Sequence, residues 1–308
     1  MSRWFLAGTL AVGVSWGMPA RALTFNFTTI SGDSLTAAQA AAFGTAAAAW
    51  SAVLVDPVTV QVGIGFRDLG TVGGSTILGV TGASLATVSY DGFKLALNAD
   101  AKSAADAQAV ANLPLTVQTA QVIGTTAQLR AIGVITLAAS DGTIEFTTHS
   151  GVTYAPTRAA LDSNSYDLIG VAEHEIGHLL GFISSVDQTG QTTKAPLDLF
   201  RYFSSGVPSF TPGQAAYFSL DGGVTHLASF AVGGAGQYQA SHWLQGTGAL
   251  MDPALAKGTV QDITALDVLA QDVIGWDVAV PEPATAGLLL LVLSAMGAMR
   301  RRAVQRTR

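Results

Sequence analysis

Apolar and polar residues alternate from Leu23 to Thr28, the period of a strand with one buried face. Ser34 to Val55 breaks that period. It is rich in alanine, carries Trp50 near its end and offers Asp33 or Ser34 as a cap, which predicts a helix. Val58 to Phe66 returns to alternation and predicts a half-buried strand. Residues 69–97 are rich in Gly, Thr and Val and read as strands and loops. Lys102 to Asn112 predicts a second helix, Ala127 to Ile132 a short one, and Thr143 to Thr148 a further strand.

Tyr166 to Leu180 has the clearest helical period, with Asn164 or Ser165 to cap it and Gly181 to end it. Residues 182–241 are rich in loop signals, among them Pro196, Pro208, Pro212 and several Gly pairs. Ile263 to Ile274 predicts a last helix closed by Gly275. This order of elements predicts an α+β layer structure. Residues 23–181, ending in the clearest helix, and the loop-rich residues 182–279 read as two halves of one unit, without an internal repeat.

Two terminal segments stand apart from this pattern. Residues 1–22 combine Arg3, an apolar stretch and the small residues of Ala20-Arg21-Ala22, the order of a secretory signal cut by signal peptidase after Ala22. Residues 280–308 read Val280-Pro281-Glu282-Pro283, an apolar run from Ala284 to Met299, and Arg300-Arg301-Arg302. The run is slightly short for a full span of ~20 residues. A basic cluster marks the cytoplasmic side. The fixed order of these three features resembles the PEP-CTERM sorting signal of Gram-negative bacteria. That resemblance implies a transient inner-membrane anchor, an exosortase-like enzyme that removes it, and release or display at the cell surface. A simple tail anchor is the plainer reading.

The chain of 308 residues is 49% hydrophobic and has no cysteine, so no disulfide framework is available. Residues 23–279 carry eight Lys or Arg against 20 Asp or Glu, a balance of −12. Such a body is a poor partner for nucleic acid.

The chemistry concentrates in His174-Glu175-Ile176-Gly177-His178. On a helix, residues four apart differ by ~40° and one turn, so both imidazoles can reach one ion. Glu175 is ~60° from His178, within reach of a water on that ion but outside its ligand set. Leu168, Ile169, Ala172, Ile176, Leu179 and Leu180 lie on the other side and can fix the helix in a core. Catalytic zinc usually takes three protein ligands and a water.

The continuation Leu179-Leu180-Gly181-Phe182-Ile183-Ser184 resembles the metzincins, with Ser184 where their short motif has His or Asp. A neutral hydroxyl is a poor zinc ligand. Downstream, Ser241-His242-Trp243 precedes Ala249-Leu250-Met251-Asp252-Pro253. Together these stretches resemble the leishmanolysin branch, in which an insertion precedes the third histidine. The resemblance covers residues 166–185 and 240–277. It implies a metzincin-like zincin with a twisted mixed sheet, His242 as third zinc ligand beside His174 and His178, Glu175 as general base, Gly181 as the turn and Met251 as the Met-turn residue. Asp187 is a second candidate for the third ligand and His226 a weaker one, while His149, after the Thr143–Thr148 strand, reads as structural or as lining the cleft. Glu173 suggests only a peripheral hydrogen bond.

The expected reaction is hydrolysis of protein or peptide substrates by a zinc-activated water. Thr143–Thr148 is the candidate edge strand for an extended substrate. Two other readings remain open: a surface or matrix protein with a structural zinc site, and a hydrolase of another amide, such as one in the cell wall.

Overall fold

The alternating segments form neighbouring parallel strands, β1 (Thr24–Thr29) and β2 (Thr59–Arg67), joined by helix α1 (Ala37–Val53). The computed structural model describes residues 22–279 apart from Ser31, Gln118, Thr189, Gln191 and Gly236. Next come β3 (Thr71–Val72), β4 (Ser75–Thr76), β5 (Gly79–Ala83), β6 (Leu85–Ser89), α2 (Tyr90–Asp100) and α3 (Ala104–Ala111). They are followed by β7 (Gln121–Thr125), α4 (Thr126–Ala131), β8 (Gly142–Thr147), β9 (Tyr154–Ala155), β10 (Tyr166–Asp167) and α5 (Leu168–Leu179). The last third holds β11 (Arg201–Ser204), β12 (Val207–Pro208), β13 (Ala216–Phe218), β14 (Ala228–Phe230) and α6 (Ala265–Val273).

The main sheet is mixed, in the order β1-β2-β8-β5, with β5 antiparallel to β8. This corrects one expectation. Thr143–Thr148 corresponds to β8, which lies inside the sheet between β2 and β5 and has no free edge. The edge nearest α5 is β5. A second four-stranded sheet, β12-β11-β13-β14, fills part of the segment read as loops. Its strands are only two to four residues long, too short to show a period.

Helix α1 packs on α5 and on the main sheet. Trp50 is fully buried and its indole N–H donates to Glu173 O at 2.8 Å. Phe43 stacks on Phe146 of β8 with centroids 5.0 Å apart. Burying each such side chain stabilises the fold by roughly 1.5–3 kcal/mol. The helix boundaries differ from expectation where local hydrogen bonding decides them. Thr36, not Asp33 or Ser34, caps α1, because it closes a capping box with Gln39. Helix α5 starts at Leu168, since Tyr166 and Asp167 are held in a parallel ladder with β9; Asp167, not Asn164 or Ser165, is its cap. Helix α2 falls in a stretch read as strands and loops, although Ser89 caps it and Tyr90, Phe93 and Leu97 share its buried face.

The end of the described chain returns to α1. Val55 N–H donates to Asp277 O and Ala279 N–H to Val53 O, both at 2.9 Å. Beside this seam, single carboxylate oxygens of Asp56, Asp100 and Asp277 lie within 4.8 Å of one another. Lys102 supplies the cation here, bonded to Asp277 and 4.0 Å from Asp100. Burial pushes Asp56 up to about 7; the charges of Asp277 and Asp100 add to this, against the hydrogen bond from Asp277 N–H. A raised acid binds its proton more tightly in the fold. Its contribution is therefore full below the unfolded value of ~3.9 and is lost as pH rises through the folded one. Asp56→Asn mimics the protonated acid. It should match the wild type only near pH 3, draw ahead of it as pH rises above about 4, and melt about 3 °C or more higher at pH 8. A melting difference independent of pH rules this account out.

Candidate metal centre

Helix α5 presents His174 and His178 one turn apart, with their Nε2 atoms 3.1 Å from each other. His242 comes from the loop after β14, and its Nε2 lies 3.3 Å from that of His174 and 3.2 Å from that of His178. The three Nδ1 atoms face carbonyl oxygens: Leu250 O at 2.8 Å, Phe182 O at 2.7 Å and Gln239 O at 3.2 Å respectively. A carbonyl only accepts, so each Nδ1 carries the ring hydrogen and each Nε2 keeps its lone pair. Three lone pairs then converge with no hydrogen between them, an arrangement that repels itself in the absence of a cation. Tetrahedral zinc with bonds of ~2.0–2.1 Å separates its ligand atoms by about 3.3 Å, so this donor set fits it. Burial lowers all three histidines. It takes His178 down to about 3, with His174 adding to the shift, and His242 well below its ordinary value. Neutral imidazoles are the form that ligates.

Local backbone geometry aims each ring. Helix α5 ends in a Schellman turn: Phe182 N–H donates to Gly177 O and Gly181 N–H to His178 O, both at 3.1 Å. Gly181 has φ 121°, which a side chain would strain. The turn delivers Phe182 O to His178 Nδ1. Met251 packs beneath the helix: a Cβ at Gly177 would lie 2.6 Å from its Sδ. The glycine in the motif therefore makes room for the methionine. Leu250, the preceding residue, supplies the carbonyl that orients His174.

Asp267 of α6 fixes this turn. Fully buried, it accepts from Trp243 Nε1, Leu250 N and Thr264 N at 2.9 Å, Thr264 Oγ1 at 2.7 Å and Met251 N at 3.2 Å. His242 is held by Ala231 N–H donating to its carbonyl at 3.0 Å, and by the buried Trp243, whose ring stacks on Phe230 at 4.9 Å. Sequence reasoning missed Asp267. The Thr264-Ala265-Leu266-Asp267 spacing, resembling a capping box, was the only local signal for it.

The other candidates lie elsewhere. Asp187 does not join the nitrogens: Oδ1 accepts from Gly234 N–H at 3.0 Å and Oδ2 from Ala240 N–H, so it fastens the loop that carries His242. Ser184 donates to Asp198 at 2.6 Å. Exposed His226 stacks on Tyr217 at 4.6 Å, and His149 pairs with Asp68 at 2.8 Å. Glu173 is buried, with Oε2 3.6 Å from Arg158 Nη2; burial pushes it up to about 7, opposed by Arg158.

Glu175 is 5% exposed, and its Oε2 accepts from Thr81 Oγ1 of β5 at 2.8 Å. Burial pushes its carboxyl up to about 7, with the Thr81 bond opposing. Proton gain and loss near neutral pH are then within its range.

Residues 279–303 match the PEP-CTERM protein-sorting motif. The PEP-CTERM signal implies recognition by an exosortase-like sorting enzyme and an exported, cell-surface protein of a Gram-negative bacterium. No curated protein and no solved structure matches the chain. Among the described residues, no helix is long and apolar enough to cross a membrane. The apolar run of the PEP-CTERM segment and the secretory signal expected in residues 1–22 lie outside the described residues, Ala22 excepted.

Proposed function

We propose that this exported protein is a zinc-dependent endopeptidase with a metzincin-like fold, nearest in pattern to the leishmanolysin branch. The convergence of three Nε2 lone pairs within 3.1–3.3 Å carries the reading. Met251 beneath the helix, the turn at Gly181 and a glutamate between the two helical histidines support it.

His174, His178 and His242 would hold the zinc. When bound, zinc polarises a scissile carbonyl and acidifies a water toward neutrality. Glu175 takes the proton of the attacking water and returns it to the leaving amine, which leaves no covalent link to the chain. The antiparallel edge strand β5 runs beside α5 and can receive an extended peptide by strand addition. Carbonyl partners at the three Nδ1 atoms hold the rings in the ligating tautomer.

The test is hydrolysis of casein by the purified zinc-loaded chain. Activity should vanish with a chelator and return with zinc. Zinc binding without hydrolysis of any protein would instead favour a structural role at the cell surface. Cleavage of peptidoglycan alone would favour a cell-wall amidase.

A further inference from the structure

Two residues of the edge strand close around the Glu175 carboxylate. Thr81 Oγ1 lies 2.8 Å from Glu175 Oε2 and also 2.8 Å from the main-chain oxygen of Glu175. The single hydroxyl hydrogen is shared between these two acceptors, so one side chain fastens both the carboxylate and its helix turn to β5. On the same strand face, two residues earlier, Gly79 presents bare backbone. A Cβ built there would lie 2.6 Å from Glu175 Oε1 and 2.9 Å from its Cδ and Cγ. Val80, between them, points outward and is 38% exposed. The carboxylate therefore rests against Gly79 while Thr81 fixes its other oxygen.

We propose that Gly79 and Thr81 are positioning residues for Glu175, holding its carboxylate at the place from which it works on a water at the three histidines. The proposal rests on the peptidase reading of this site and deepens it. It also gives β5 a second role: the strand open to substrate at its free edge is the one that sets the base. A displacement of ~1 Å at such a group costs on the order of 10²-fold in rate. Among the described residues no hydrogen bond joins either residue to the three imidazoles, whose partners are one another and carbonyl oxygens, so metal binding is not the property they control.

The experiment compares Thr81→Val, Thr81→Ser and Gly79→Ala in the full zinc-loaded chain. All three should bind zinc with the wild-type stoichiometry and keep KM within about twofold, because ligands and edge backbone are intact. For Thr81→Val and Gly79→Ala, kcat should fall by about 10–100-fold, and Thr81→Ser should restore most of the loss. Crystal structures should show the Glu175 carboxylate displaced in Thr81→Val and Gly79→Ala and in place in Thr81→Ser. Wild-type kcat in Thr81→Val, or an unmoved carboxylate in that variant, overturns the proposal. If Gly79→Ala does not fold, the Val and Ser pair at position 81 decides it alone. A wild-type chain that binds zinc but cleaves no protein would defeat the peptidase reading; the carboxylate positions would still decide the claim about β5.

Discussion

Glu175→Gln should retain the wild-type zinc stoichiometry and hydrolyse protein about 10²–10⁴-fold more slowly than the wild type. The amide keeps the size and shape of the side chain and still accepts from Thr81, whose bond to Glu175 Oε2 is 2.8 Å. It cannot take a proton from water. The fold should be preserved, because Glu175 makes no ion pair among the described residues. Its burial pushes the acid up to about 7, so the neutral amide also removes a buried group that ionises near neutral pH. The measurement is single-turnover peptide cleavage alongside zinc analysis of the same sample. Wild-type cleavage by this variant would remove Glu175 from the chemistry.

The second large effect is expected at Asp267, which reaches the site through the turn of Leu250 and Met251. Asp267→Ala should lower stability by about 3 kcal/mol or more, since it strands several buried donors that each cost roughly 1–3 kcal/mol when unpaired. For a body of this size that is a fall of about 10 °C in melting temperature. The donors include Leu250 N, Met251 N and Trp243 Nε1, so the damage reaches the carbonyl that orients His174 and the ring beside His242. Zinc affinity should fall by about 10–100-fold, as when an orienting partner of a ligand is lost. Asp267→Asn should rescue little, because an amide nitrogen offers a donor where donors already converge. Thermal melts and competitive zinc titration check both parts; a variant with wild-type values in both would show that the turn is held by packing alone.

What could be read from the chain follows the range of the interactions involved. Period and composition predicted α1, α3, α4, α5 and α6 and strands β1, β2 and β8 to within a few residues. The pairing of His174 with His178 is a property of one helical turn and needs no tertiary information. The partner 64 residues beyond His178 was suggested only by resemblance, because nothing local to Ser241-His242-Trp243 sets it apart. Sheet order was not legible either: β8 follows β5 by more than 50 residues yet lies between it and β2, so the strand taken as an edge is interior. Thr81 and Gly79 were invisible for the same reason, being ordinary strand residues until the sheet brings β5 against α5. Asp187 shows how a carboxylate near an H-E-x-x-H motif can serve the loop that carries His242 by taking its N–H groups.

The central claim is that three imidazoles share one zinc, and zinc K-edge absorption on the purified chain loaded with one equivalent tests it most directly. Three imidazole nitrogens at ~2.0–2.1 Å are expected in the wild type, with two left and weaker binding in His242→Ala. Failure of the wild type to take up zinc, or an unchanged three-imidazole spectrum in His242→Ala, would contradict it.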